Sequence, residues 1–273
     1  MATQFVPAAV RSALEILATE RERTLTERDA FEAFRTHVTT IEPPEHRTSS
    51  AHGRQSAAQR TLVKQSHSDD RLRRVQDAYR ESVMSMSHYE DEYDDSLAES
   101  LAEEFGPEVA GAVLTGDQFT RSLREQLLTA SREACTRRTT FLTVLTRETE
   151  SLQTAEETIT ALGSALETLD ARSLESWSPV ELADSYEQLL TAEDRCEELV
   201  SERQTTLHSH GLPGPMPIDS DLDLTEYLYQ SLSVTHPVLA DLADLADTLR
   251  GERQRVERAM QACETHLSHY SSP

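Results

Sequence analysis

Residues 119–170 read FTRSLREQLLTASREACTRRTTFLTVLTRETESLQTAEETITALGSALETLD, and this stretch carries the longest regular hydrophobic pattern of the chain. In its second part, ten positions of one seam follow one another at alternating steps of three and four residues. The ten positions are Arg138, Phe141, Leu145, Glu148, Leu152, Ala155, Ile159, Leu162, Leu166 and Leu169. This spacing is typical of one face of an α-helix and excludes a strand, whose side chains alternate at every second residue. We therefore predict a single helix of about fifty residues, roughly 75 Å long.

The same spacing predicts amphipathic helices before this one. A first helix covers residues 10–41 and ends before Pro43, because a residue that precedes a proline disfavours the helical conformation. A second helix begins at about residue 70 and continues, or restarts, as far as residue 105. The glycines at 106 and 116 then bound one short helix, which makes a break followed by a restart.

The residues after the long segment also carry helix-start signals. Ser178 has the properties of an N-cap, Pro179 those of the first helical position, and Glu181 those of the capping-box partner. The helix that begins there is expected to end at Gly211. A further short helix precedes Pro237, where the last helix starts.

These patterns predict an all-α protein, an elongated antiparallel bundle of long amphipathic, coiled-coil-like helices. We expect an N-terminal helix in residues 1–41, a flexible basic linker in 42–70 and a helical bundle domain in 71–273. A parallel coiled-coil dimer is the alternative arrangement. In either case, polar residues within the hydrophobic seam fix the register of the helices. The polar seam residues are Arg138, Glu148, Glu193 and Arg203.

The composition is strongly acidic. The chain holds 49 Asp and Glu against 26 Lys and Arg, which gives a formal net charge of −23, and Lys64 is its single lysine. Self-repulsion at this charge opposes a compact fold in dilute salt, whereas at about 1 M salt the Debye length falls to about 3 Å. We therefore predict a halophilic protein, with an acidic coiled coil of an ordinary cytoplasm as the alternative. The same charge disfavours nucleic acid as a partner, except for weak contact through the basic linker.

Neither a leader nor a membrane span is expected. Arg11 and Glu15 interrupt the apolar residues near the N-terminus, and no segment approaches the roughly 18 uninterrupted apolar residues of a spanning helix. We therefore expect a cytoplasmic protein. The three cysteines, Cys135, Cys196 and Cys263, are odd in number and widely spaced, which argues against a disulfide framework and against a thiolate zinc site.

Residues 87–106, SHYEDEYDDSLAESLAEEFG, place eight carboxylates beside one histidine and two tyrosines. One interpretation is a metal or acid/base site that uses Glu90 and Asp94, one helical turn apart. The interpretation that we favour makes Ser87 an N-cap and Glu90 its capping-box partner, so that the acids lie in a first turn where the helix dipole stabilises them. Asp94 then remains unexplained.

A second group of possible metal ligands lies near the C-terminus. Cys263, His266 and His269 follow one another at three-residue steps, which a helix brings close enough to ligate a soft metal. We favour a structural interpretation here too, because Cys263 continues the hydrophobic seam of its helix. We therefore expect neither a metal ligand nor a cofactor.

No nucleophile-elbow, P-loop or dinucleotide-binding motif occurs in the sequence, and we expect no catalytic residue. The sequence favours a non-enzymatic interaction or scaffold protein that self-associates or docks a protein partner through a tyrosine-rich surface. The alternatives are a metal- or carboxylate-dependent enzyme or sensor, and a weak nucleic-acid contact. The predicted partner-binding residues are Tyr89, Tyr93, Asp94, Tyr227 and Tyr229.

Four segments of the sequence together carry a resemblance to a known family. They are RVQDAYRESVMSMSHYEDEYDDSLAESLAEEFG (74–106), REACTRRTTFLTVLTRETESL (132–152), SWSPVELADSYEQL (176–189) and DLTEYLYQSLSVTHPVLADLADL (223–245). Together they resemble a family of uncharacterised helical proteins from halophilic archaea, a domain of unknown function. The resemblance implies an all-helical, cytoplasmic, salt-adapted protein. It implies no activity and no catalytic residue.

Overall fold

The computed structural model describes residues 5–44, 57–89, 93, 95–170, 174–209 and 224–270. For the helical residues 57–69, 165, 167–170, 206–209 and 264–270 it describes the backbone alone. The α-helices of these ranges are α1 (Ala8–Thr40), α2 (Ala57–Ser82), α3 (Leu97–Phe105), α4 (Pro107–Thr115), α5 (Arg121–Asp170), α6 (Pro179–Ser209), α7 (Leu224–Tyr229) and α8 (Pro237–Tyr270). A single 3-10 turn, Leu174–Ser176, precedes α6.

The all-α prediction is confirmed, since the described ranges contain helices and connecting turns and no strand. The long periodic segment forms α5 as one helix of 50 residues. Its sequence contains no proline, and its single glycine, Gly163, lies where another part of the chain comes close. A β-carbon at Gly163 would lie 2.8 Å from Cβ of Phe5, so a larger residue there would displace Phe5.

The chain divides into two compact units. The central unit comprises residues 20–144, and the terminal unit comprises residues 1–19 together with residues 145–273. Both α1 and α5 therefore contribute one part of their length to each unit. Each unit has its own buried apolar residues, so each can be described by itself.

The central unit is built around four aromatic rings that contact one another. The ring of Phe34 lies edge-on to that of Tyr79, with the ring centres 5.2 Å apart, and it stacks on the ring of Phe105 at 5.7 Å. The ring of Phe31 packs edge-on against the rings of both Tyr79 and Phe105. Such pairs stabilise a core by about 0.5–1.5 kcal/mol each beyond the area that they bury. Because the four residues come from α1, α2 and α3, the cluster joins three helices.

Helices α1 and α5 run antiparallel within the central unit. The thiol of Cys135 lies 3.6 Å from the carbonyl oxygen of Arg28, and the Arg124 guanidinium donates to the carbonyl oxygen of Thr39 at 2.8 Å. A later residue of α1 thus meets an earlier residue of α5. This is the antiparallel pairing that the sequence predicts for its long helices.

The cap predicted at Ser87 pairs with Glu90, which lies outside the described residues, so that capping box stays a prediction. The helix does not run unbroken to residue 105, because Asp95 and Ser96 are not helical and α3 starts at Leu97. A capping box begins α3: Glu99 N–H donates to Oγ of Ser96, and the carboxylate of Glu99 accepts from the backbone of Ser96. Ser96 was missed because the run offers three Ser-x-x-Glu patterns, at Ser87, Ser96 and Ser100, and the pattern alone does not distinguish them.

The break between α3 and α4 is confirmed at Gly106 and Pro107. Gly106 has φ of +84°, a value that residues with a β-carbon rarely adopt, and Pro107 occupies the first helical position, where no backbone N–H is needed. The predicted start of α6 is confirmed as well. The Ser178 N–H donates to Glu181 at 2.8 Å, and the Glu181 N–H donates to Oγ of Ser178 at 3.3 Å.

The terminal unit packs the end parts of α1 and α5 with α6, α7 and α8. Helix α6 packs on α8, with Arg253 donating to Glu193 at 2.8 Å. The core of the terminal unit is mostly aliphatic. The fully buried large aliphatic residues of this unit include Leu17, Leu145, Leu152, Ile159, Leu182, Leu189, Leu242, Leu245 and Leu249.

Helix α1 begins against a carboxylate from the far end of the sequence. Asp241 of α8 accepts hydrogen bonds from the backbone N–H groups of Val10 at 2.8 Å and Ala9 at 3.2 Å. Burial raises the pKa of Asp241, against the lowering effect of these two hydrogen bonds. The side chain therefore serves as an N-cap that α1 does not supply itself.

We expect Asp241→Ala to lower the free energy of unfolding by about 1–2 kcal/mol, because two buried N–H groups lose their acceptor. The raised pKa sets the sign of the pH dependence. The wild type is more stable below the ordinary pKa of the carboxyl and loses this contribution as the pH rises through the folded-state value, a change that the variant lacks. Urea unfolding at several pH values measures both effects. Glu257→Ala, at an exposed position of the same helix, is the control, and a wild-type advantage that grows with pH would contradict the sign.

Of the predicted linker, residues 42–70, residues 45–56 lie outside the described part of the chain, and the flexibility of the linker stays a prediction. Helix α2 begins at Ala57, inside the predicted range. From there the sequence has neither Gly nor Pro and is rich in Ala, Gln and basic residues, which have high helix propensity. Hydrophobic periodicity is weak in such a segment, and for that reason the periodicity placed the start of the helix too late.

None of the described helices combines the length and the apolar character that a membrane span requires.

Candidate functional site

The central unit contains an open pocket between α1, α5 and the residues that join α2 to α3. Its empty volume is about 310 Å³, a figure that includes the open mouth. Aromatic and acidic side chains form most of its wall. The residues that line it are Glu27, Phe31, Tyr79, Val83, Met86, Tyr89, Tyr93, Asp95, Ser100, Glu103, Glu104 and Arg138.

Arg138 of α5 closes one side of the pocket. Its Nε donates to Glu27 at 2.7 Å and its Nη2 donates to Glu104 at 2.7 Å, while the guanidinium carbon lies 4.3 Å from the centre of the Phe31 ring. Burial alone would lower the pKa of Arg138, but the two carboxylates outweigh it and the pKa is raised. Arg138 is therefore a permanent cation, held between two acids and above an aromatic face.

Two tyrosines form the mouth of the pocket. The rings of Tyr89 and Tyr93 lie 5.4 Å apart, and the N–H of Tyr93 donates to the carbonyl oxygen of Tyr89 at 2.9 Å. Tyr93 is 43% exposed and its hydroxyl donates to Glu27 at 3.1 Å. Beside them, Nε2 of His88 lies 3.5 Å from the same carboxylate, and the two atoms do not form a hydrogen bond.

Deeper in the pocket, two tyrosine hydroxyls have different surroundings. Tyr79 is fully buried, and its hydroxyl forms a hydrogen bond of 2.8 Å with the hydroxyl of Ser100. Tyr89 is only 5% exposed, and its hydroxyl has no hydrogen-bond partner among the described residues. Burial raises the pKa of both phenols, although the nearby Ser100 hydroxyl opposes the shift. Both tyrosines are therefore neutral at physiological pH, and the Tyr89 hydroxyl lies buried and unsatisfied.

This difference predicts opposite effects for one kind of substitution. We expect Tyr79→Phe to lower the free energy of unfolding by about 1 kcal/mol, because the hydrogen bond to Ser100 is lost. Tyr89→Phe is expected to raise it by up to about 1 kcal/mol, because it removes a buried hydroxyl without a partner. Urea unfolding of the two variants measures the effects, and each variant serves as the control of the other. Equal destabilisation by both would show that the Tyr89 hydroxyl is satisfied.

The terminal unit buries a second polar network. Arg203 of α6 donates to both oxygens of Glu148 on α5, at 2.5 and 3.2 Å, and to Oγ of Ser151 at 2.9 Å. The hydroxyl of Tyr229 on α7 donates to Glu148 at 2.7 Å. Arg203, Glu148 and Tyr229 are all at least 94% buried. The network ties α5, α6 and α7 together, and its groups are buried and paired with one another, as in a structural contact.

The predicted partner-binding residues fall into three groups. Tyr89 and Tyr93 lie together at the pocket of the central unit. Tyr227 and Tyr229 belong to the terminal unit, where Tyr227 is half-buried and Tyr229 is 2% exposed with its hydroxyl bound to Glu148. Since Tyr229 is part of a core, we exclude it from any docking surface. Asp94 lies outside the described residues.

Each of the two suggested metal sites includes residues or side chains that lie outside the described part of the chain. Glu90 and Asp94 lie outside the described residues, and so do the side chains of His266 and His269. Within the described part of the chain, no group of three or more His, Cys, Asp or Glu side chains could hold a metal ion. Cys263, the described member of the second group, is partly exposed and carries a free thiol.

The thiols of Cys135 and Cys196 are not activated as nucleophiles. Burial raises the pKa of Cys135, and it raises the pKa of Cys196 as well. A reactive cysteine needs a lowered pKa, because the thiolate is the nucleophile. Both thiols are therefore protonated near neutral pH, as expected for small apolar residues of a helix seam.

Sequence reasoning missed how the pocket is assembled. It identified Arg138 as a polar seam residue but offered no partner for it, and it did not single out Glu27. Nor did the sequence offer a partner for Glu104 of α3. The three residues are 34 to 111 positions apart in the chain. A charged residue within a hydrophobic seam is the signal that could have pointed to such a network.

A family model described as a domain of unknown function (DUF7260) matches residues 8–253. The matched range includes every residue that lines the pocket and the whole Glu148–Arg203–Tyr229 network. No curated protein and no solved structure matches the chain.

Proposed function

The chain belongs to the DUF7260 family, a domain of unknown function, and we propose that it is a non-enzymatic interaction protein that docks a protein partner through the pocket of its central unit. The observation that carries this proposal is the mouth of the pocket. There Tyr93 is 43% exposed beside the buried Tyr89, and the wall around them combines aromatic faces with carboxylates. Large amphipathic side chains of this kind are typical of the centres of protein interfaces.

The buried charged groups support a binding role rather than a catalytic one. Arg138 is held by Glu27 and Glu104, and Arg203 is held by Glu148, so these groups are engaged in stabilising contacts. General acid–base catalysis needs a group that can give up or accept its proton near the operating pH. A guanidinium between two carboxylates is not such a group.

We further propose a salt-rich cytoplasm as the setting of this interaction. A formal net charge of −23 with a single lysine is the supporting observation. We expect the midpoint of thermal unfolding to rise from dilute buffer to molar potassium chloride, because screening removes self-repulsion between carboxylates. Circular dichroism of the helical signal during heating measures it. A midpoint that is highest in dilute buffer would show that the protein is not adapted to salt.

Crosslinking in cells followed by mass spectrometry tests the docking proposal. The expected result is crosslinks from the rim of the pocket to one defined protein, reduced by Tyr93→Ala. Val180→Ala is the matched control, since Val180 is an exposed apolar residue, 68% accessible, outside the pocket. A chain that is monomeric at molar salt and forms no crosslink to another protein would exclude the proposed function.

A further inference from the structure

The charge of the pocket selects the kind of group that can enter it. Four carboxylates line it, those of Glu27, Asp95, Glu103 and Glu104, against the one guanidinium of Arg138. The guanidinium of Arg138 is already held by Glu27 and Glu104. Asp95 and Glu103 form no ion pair with a described residue. The wall of the pocket therefore carries an excess of negative charge that a cation would balance.

A second feature points to a ligand independently of the carboxylates. Tyr89 is 95% buried by the protein, lines the pocket, and its hydroxyl has no hydrogen-bond partner in the described part of the chain. A buried hydroxyl of this kind is unfavourable unless something binds to it. Because burial raises the pKa of Tyr89, the hydroxyl stays neutral and can accept a hydrogen bond from an entering N–H group.

The pocket already shows how it holds one guanidinium. Arg138 lies over the face of Phe31 at 4.3 Å and donates to two carboxylates. At the mouth, the rings of Tyr89 and Tyr93 offer the aromatic faces, and Asp95 and Glu103 offer the carboxylates. A planar guanidinium stacks on aromatic faces and donates to carboxylates in fixed directions, whereas an ammonium does so less well.

The geometry points to an arginine side chain of the protein partner as the group that enters this pocket. This inference rests on the proposed function and names the chemistry of the same site. The enclosed part of the pocket holds only about 30 Å³, so a cofactor has no room there and a guanidinium would lie in the open mouth. The guanidinium would donate to Tyr89 Oη and to the free carboxylates, and its plane would lie against Tyr93.

A capped Gly-Arg-Gly peptide is the probe, titrated into the full-length protein whose tyrosine rings carry ¹³C. We expect saturable shifts of the Tyr89 and Tyr93 ring signals, while the buried Tyr229, in the terminal unit, stays unshifted. The peptide with citrulline in place of arginine has nearly the same shape without the charge and should not bind. The lysine peptide should bind about three- to tenfold more weakly, because an ammonium lacks the planar fork.

Matched variants separate a site from general attraction to an acidic protein. Glu103→Gln removes a carboxylate of the pocket, and Glu133→Gln removes an exposed one on α5 outside it. We expect the first to weaken binding of the arginine peptide about three- to tenfold and the second to leave it unchanged, as local rather than net charge is decisive. Both positions are exposed, so neither change threatens the fold.

Equal binding of the arginine and citrulline peptides, or equal effects of Glu103→Gln and Glu133→Gln, would overturn the inference. Tyr89→Phe provides an independent check. It should weaken binding while the fold is retained, and an unchanged affinity would exclude the hydroxyl as an acceptor. The outcome remains separable from the proposed function: crosslinking to a partner without binding of the arginine peptide leaves the docking role intact and removes only the arginine.

Discussion

Arg203→Met is expected to lower the free energy of unfolding by about 3–5 kcal/mol, because it leaves the carboxylate of Glu148 buried without its cation. Arg203 and Glu148 have side-chain exposures of 6% and 4%, so water does not replace the lost contact. Urea unfolding followed by circular dichroism measures the change. The midpoint should fall while the slope of the transition stays constant, since the folded structure still buries the same area.

A triple variant provides the control for this prediction. Arg203→Met, Glu148→Leu and Tyr229→Phe together remove the charges and also the hydroxyl that donates to Glu148 at 2.7 Å. Buried ion pairs contribute little when both partners are replaced by apolar groups of similar size. We therefore expect the triple variant to recover most of the stability that Arg203→Met loses. If the single change costs less than about 1 kcal/mol, the network is not closed to water as described.

Phe34→Ala is expected to destabilise the protein by a similar amount, about 3–5 kcal/mol, because it leaves a cavity in the centre of the aromatic cluster. Phe34 is fully buried and its ring contacts those of Tyr79 and Phe105. The loss combines the transfer of the side chain out of the core with the loss of two aromatic contacts. Thermal and urea unfolding measure the effect.

Phe34→Leu separates the two contributions to this effect. Leucine keeps most of the apolar volume but removes the ring, so its cost should be intermediate, at about 1–2 kcal/mol. Val180→Ala, at a position 68% exposed, should change the stability by less than about 0.5 kcal/mol. A cost for Phe34→Ala as small as that of Val180→Ala would show that the cluster is not the core of the central unit.

Much of the secondary structure could be predicted because its signals are local. The seam that passes through Arg138 and Glu148 predicted α5 at nearly its observed length of 50 residues. Ser178 with Glu181 predicted the start of α6, and Gly106 with Pro107 predicted the break between two short helices. Each of these signals depends on residues within a few positions of one another.

The start of α2 and the cap at Ser96 were not predicted for the opposite reason. Helix α2 begins at Ala57, where helix propensity is high but no hydrophobic seam marks the helix. Ser87, Ser96 and Ser100 each precede a glutamate by three residues, and only the break of the helix at Asp95 and Ser96 identifies Ser96 as the cap of α3.

Local patterns in the sequence suffice to predict that this protein is all-helical, and they show that polar residues such as Arg138 and Arg203 interrupt its seams. What these polar residues do depends on how the helices pack. Glu27 and Glu104 reach Arg138 from helices that are distant in the chain, and Glu148 reaches Arg203 in the same way. Helical periodicity specifies which face of a helix is buried, but it carries no information about which other helix covers that face. The pairing of charges, and the pocket with its unpartnered hydroxyl, arise only where the helices meet.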